Sequence, residues 1–166
     1  MILIDTHFHI EKDSDLEKIV NDAKKEDVLY LILGGNSKED NLLNIKACKN
    51  YNNIYLTLGY HPDCTDSYTL EDLILLEKQI IENKDKLVAI GEIGLEDLTD
   101  SEISIFKKQL DIGEETKSKV IVHTPRKNKK EVLKVIQDIV PQHIDPKLVV
   151  IDHINQNVVE DVIDKD

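Results

Sequence analysis

The sequence predicts an α/β protein built on a parallel sheet, and two observations carry that prediction. Six short, near-continuous aliphatic runs recur along the chain, and amphipathic helical patterns separate them. The runs begin at residues 2, 28, 54, 87, 120 and 148, a spacing of 26 to 33 residues. That is near the roughly 31 residues per unit of a fold in which about 250 residues form eight strand–helix units. Either a (β/α) barrel or a doubly wound sheet fits this alternation.

The strand runs are Ile2 to Asp5, Val28 to Leu33, Ile54 to Gly59, Leu87 to Gly91, Val120 to His123 and Leu148 to Asp152. Their unbroken apolar character is that of strands covered on both faces. Helical stripes lie between them: Leu16, Ile19, Val20 and Ala23; then Leu70, Leu73, Ile74, Glu77 and Ile81. Two more follow: Ile103, Phe106, Leu110 and Gly113; then Val132, Ile136, Ile139 and Val140. Thr69 with Asp72 and Thr99 with Glu102 have the spacing of capping boxes. Pro141 and Pro146 are expected to end the fifth helix, and a last helix (Val158, Val159, Val162, Ile163) runs to Asp166. No linker or shift of composition divides residues 1–166, which are expected to form one domain. Six units are too few for a closed eight-stranded barrel.

Hydrophobic residues make up 40% of the 166 and charged residues 33%, with no Trp, so aliphatic side chains must build the core. No apolar stretch is long enough to span a membrane, and the start is too quickly charged for a signal peptide. Cys48 and Cys64 make no disulfide framework, and the expected compartment is the cytoplasm. The net charge of −12 speaks against a broad, sequence-independent grip on nucleic acid. A small local anion site remains compatible with it.

Five of the six histidines stand at strand ends, the edge where α/β folds place their sites. His7 and His9 end the first run. Their i, i+2 spacing puts both rings on one face of an extended strand. His61 follows the third run, Glu92 ends the fourth, His123 the fifth and His153 the sixth. Imidazoles and a carboxylate gathered on one mouth would hold one or two divalent ions, with a carboxylate such as Glu92 suited to bridge a pair. Arg126, Lys127, Lys129 and Lys130 form a basic cluster beyond His123, placed either to hold a substrate phosphate or to lie as a solvated helix face. Asp152 is expected to point to the strand face opposite His153. There is no GxGxxG fingerprint and no P-loop.

Taken in order, Asp5-Thr6-His7-Phe8-His9, Gly59-Tyr60-His61-Pro62, Gly91-Glu92-Ile93-Gly94-Leu95, His123 and His153 resemble the TatD family of metal-dependent hydrolases. His123-Thr124-Pro125-Arg126 and Asp152-His153-Ile154-Asn155 resemble an archaeal TatD-like branch in particular. The resemblance implies a TIM-barrel-like (β/α) sheet, incomplete at about six units. It implies two divalent ions (Zn, Mg or Mn). His7 and His9 would bind the first, His123 and His153 the second, and Glu92 would bridge them as the catalytic carboxylate. His61 would lie near the substrate, and Arg126, from the basic cluster rather than by resemblance, is the candidate to contact it. The implied reaction is hydrolysis of a phosphoester, small-molecule or nucleic-acid, with deoxyribonuclease activity in view. The family's catalytic Asp after the eighth strand has no counterpart here, and Glu96 stands where Asp is usual. The alternative is a metal- or ligand-binding remnant without turnover, or a subunit completed through its open barrel edges by a second copy or another chain.

Overall fold

The computed structural model describes residues 1–163. Six strands, β1 (Leu3–Phe8), β2 (Val28–Leu33), β3 (Ile54–Leu58), β4 (Leu87–Gly94), β5 (Val120–His123) and β6 (Val149–Ile151), form one sheet. They lie in sequence order, and every pair of neighbours is parallel. The crossovers are α1 (Leu16–Lys25), α2 (Lys38–Cys48), α3 (Leu70–Glu82), α4 (Asp100–Thr116) and α5 (Lys129–His143). A short α6 (Glu160–Ile163) follows β6, and the expected end of that helix at Asp166 falls outside the described residues.

The sheet curls. β1 and β6 are its outer strands, and five steps of about 4.8 Å would hold their ends roughly 24 Å apart in a flat sheet. Yet His7 Nδ1, on β1, lies 3.8 Å from Asp152 Oδ2, just past β6. The six units therefore make a half-barrel of TIM-barrel type whose strand ends converge on one mouth. Strand residues Leu33, Ile54, Leu56, Leu58, Ile90, Ile93, Val120 and Val122 are buried against Leu76, Ile80, Phe106, Leu110 and Ile136 of the helices. β1 departs from the expectation of two covered faces, since Leu3 and Ile4 are exposed and α1 buries no residue against it. As an outer strand, β1 pairs only with β2 among the described residues.

Both capping boxes form, at Thr69–Asp72 and Thr99–Glu102. α5 runs through Pro141 to His143 rather than ending at it. In α3 the buried face is Leu73, Leu76, Gln79 and Ile80, while Leu70, Ile74 and Ile81 of the expected stripe are exposed. The run Leu-Ile-Leu-Leu supplies more apolar residues than one face needs, so periodicity alone selects the wrong members. α2 matched no stripe because its inward face is polar: Asn41 and Asn44 are buried with Ala47 and Cys48. No described helix is long and apolar enough to cross a membrane.

Candidate metal centre

Each of the strand-end residues lands on the same mouth. On β1, extended backbone directs His7 and His9 to one side, with their Nε2 atoms 3.0 Å apart. His9 Nδ1 is bonded to the Gly34 carbonyl at 3.1 Å, and Asn44 Nδ2 donates to that same oxygen at 2.9 Å. The bond fixes the tautomer: Nδ1 carries the proton, and Nε2 presents its lone pair to the mouth. Position 34 must be glycine for this contact, because a Cβ there would stand 2.7 Å from His9 Cε1. Gly34→Ala is expected to push the ring aside and loosen divalent-metal binding about tenfold, the scale for disturbing a ligand's supporting contacts. Calorimetric titration would measure that loss, and an unchanged far-UV spectrum would show the fold retained.

β4 carries Glu92 into the centre. The register with β5 shifts between Ile90 and Ile93, and the Glu92 amide donates instead to Gly35 O, 2.7 Å away. Its carboxylate is the hub of the cluster. Oε1 lies 3.1 Å from both His123 Nδ1 and His153 Nε2, and Oε2 is 3.6 Å from His7 Nε2. Burial pushes the Glu92 carboxyl up, but the His123 bond and the charges of His123, His7 and His61 outweigh it and hold it at about 2. Gly94 has φ +156°, and a side chain there would meet His123 O at 2.5 Å, so glycine lets the two strand ends pack.

His61 stacks edge-on against His123 with ring centroids 4.4 Å apart, held in place by its amide bond to Asn36 O. Burial, then the neighbouring His123, lowers its pKa. His61, Glu92 and His123 offer ligand atoms within 4.8 Å of one another, as do Glu92, Asp152 and His153. The donor set is imidazole and carboxylate with no thiolate, which suits zinc and the harder divalent ions. Three carboxylates and five histidines gathered on one mouth are also what a divalent charge would balance. The residues present therefore fit such ions.

The structure brings His7, His9, His61, Glu92, His123 and His153 together. Arg126 lies apart from that cluster but lines a pocket of about 410 Å³ with His123, Thr124, Lys129, His153, Ile154 and Asn155. Two residues join the site that strand alternation did not place there. Asp152 was expected on the opposite face, but β6 ends at Ile151 and His153 adopts a positive φ of 58°. Alternation stops there, and Asp152 turns toward His7. Glu96, seen in the sequence only as a Glu-for-Asp exchange, reaches His123 Nε2 at 3.1 Å. His123 thus sits between two carboxylates, and their bonds raise its pKa against the opposing effect of burial. The left-handed backbone at His153 has no signal in strand patterning.

The family model described as "TatD related DNase" matches residues 4–161. The chain belongs to the TatD family. Among TatD-family relatives, an uncharacterised metal-dependent hydrolase of Methanocaldococcus jannaschii is 37% identical over 129 residues, covering 72% of this chain and 49% of its own length. A human deoxyribonuclease, TATDN3, is 35% identical over 105 residues, 57% of this chain and 38% of its own. The chain thus spans about half the length of the first of these and less of the second. The solved structure of a TatD-like protein from Archaeoglobus fulgidus shares the fold with a TM-score of 0.73, covering 98% of this chain and 73% of that one at 24% identity.

Proposed function

We propose that this TatD-family chain is a divalent-metal-dependent hydrolase of phosphoester bonds, with a single-stranded DNA end or a smaller phosphodiester as substrate, carried by one domain over residues 1–166 in the cytoplasm. The observation that carries the reading is the Glu92 carboxylate touching His7, His123 and His153 at once. His7 and His9 would hold one ion, His123 and His153 a second, and Glu92 would bridge them. Ions held there would supply Lewis acidity toward a phosphoryl oxygen and lower the pKa of water toward neutrality. His9 is oriented by Gly34 O and His123 by Glu96, the kind of outer bond that aims a ring at a metal. His61, lowered in pKa by burial, is suited to accept a proton or a hydrogen bond from bound substrate. Support for a phosphoester also comes from the family description and from the human relative's name as a deoxyribonuclease. The charge of −12 favours short or single-stranded substrates over a long duplex.

A second reading is favoured by the exposed β1 and by outer strands that each pair on one side only among the described residues. In that reading the chain binds metal but turns over only when a second copy or another chain covers the edges. Incubating the metal-loaded protein with single-stranded DNA and with a generic phosphodiester tests the two. Cleavage that a chelator abolishes is the expected result. Tight metal binding with no cleavage would overturn the first reading in favour of the second.

A further inference from the structure

Beside the metal centre stands a lysine, Lys129, with no counter-ion among the described residues. Lys129 opens α5, and its Nζ donates to Thr124 Oγ1 at 2.8 Å and to Thr124 O at 3.1 Å. Thr124 is buried and itself donates to Asp152 O at 2.8 Å, so the ammonium is tied to the loop that carries the site. In a chain with 33 carboxylates, no carboxylate of the described residues stands within ion-pair distance of Lys129. Lys130 beside it and Lys38 at the start of α2 are each paired with an aspartate. Partial burial lowers the pKa of Lys129, only partly offset by the more distant charges of Glu96 and Asp152. Two neutral hydrogen bonds do not balance the charge of a partly buried ammonium, and an anion arriving in the pocket would.

The pocket beside it shows where that anion would come from. It is lined by the site histidines His123 and His153 and by the polar side chains of Arg126, Lys129 and Asn155. A group bound there would meet both metal-ligand histidines and two cations. A neutral ester or amide would leave the ammonium unpaired. A phosphoryl group has enough oxygens to meet an ion and a cationic side chain together.

We propose that Lys129, assisted by the more exposed Arg126, holds a phosphoryl oxygen of the substrate in the pocket they share with His123 and His153, and so selects phosphoesters over neutral esters. This rests on the phosphoester reading above. Its test is inorganic phosphate titrated into the metal-loaded protein by calorimetry, for the wild type, Lys129→Gln, Lys129→Arg and the neighbouring Lys127→Gln. Losing one charge-assisted hydrogen bond predicts about tenfold weaker phosphate binding for Lys129→Gln. Metal affinity should be unchanged in that variant, while Lys129→Arg and Lys127→Gln should retain phosphate binding. Unchanged phosphate affinity in Lys129→Gln, or an equal loss in Lys127→Gln, overturns the assignment of Lys129 alone. Should Lys129→Gln fail to fold, loss of phosphate binding in a folded Lys129→Arg that still binds metal overturns it too. A metal-loaded wild type that binds no phosphate overturns the phosphoester reading together with the proposal.

Discussion

Glu92→Ala is expected to lower divalent-metal affinity by at least about a hundredfold, beyond the ten- to hundredfold typical of losing an outer-shell partner. Glu92 is 5% exposed, and its two oxygens face His7, His123 and His153. No other carboxylate among the described residues touches histidines of both β1 and β5, so its removal separates the halves of the site. An ion bound only by the native state stabilises it by about 2.7 kcal/mol at a hundredfold excess over Kd, and that metal-induced rise in Tm should vanish. Glu92→Gln, which keeps the shape without the charge, separates lost coordination from lost packing. Both variants should fold and both should lose the metal response. A Glu92→Ala protein still stabilised by metal would show that the ion sits elsewhere.

Asp152→Asn carries the second large effect, a loss of about tenfold or more in metal affinity. By family resemblance, a carboxylate after the eighth strand completes the metal site, and no residue here matches it. The structure sets the Asp152 carboxylate 3.8 Å from His7 Nδ1 and in ligand-atom range of Glu92 and His153. Asparagine preserves the acceptor for the His153 amide, bonded to Asp152 Oδ1 at 2.6 Å, and removes only the charge. A drop in affinity with the thermal unfolding of the metal-free protein unchanged would give Asp152 that charge-supplying place on the His7 side. Equal affinity in wild type and variant would leave it a loop residue.

The parts of this molecule that follow simple periodicities are readable in its sequence. Aliphatic runs mark strands because a parallel sheet is covered by helices, and both Thr caps announce helix starts through a spacing that satisfies orphan amides. The histidine series was readable because strand ends are where a curled sheet converges. Other features obey no periodicity. α2 points asparagines inward, where Asn41 bonds Gly59 and Asn44 bonds Gly34, so its buried face reads as polar. Asp152 and Lys129 acquire their places from the positive φ at His153 and the left-handed Asn128 that opens α5. Such backbone choices depend on tertiary contacts rather than on local composition. The exposure of β1 likewise follows from its place at the sheet's edge, which an aliphatic run does not reveal.

That these six strand–helix units hold two divalent ions around Glu92 is our proposal. Calorimetric titration of zinc or manganese into the metal-free protein tests it most directly. Two ions per chain should bind, both lost in Glu92→Ala, with one site weakened selectively in a His7→Ala, His9→Ala double variant and the other in a His123→Ala, His153→Ala double variant. Binding of no ion, or of ions indifferent to Glu92, would contradict it.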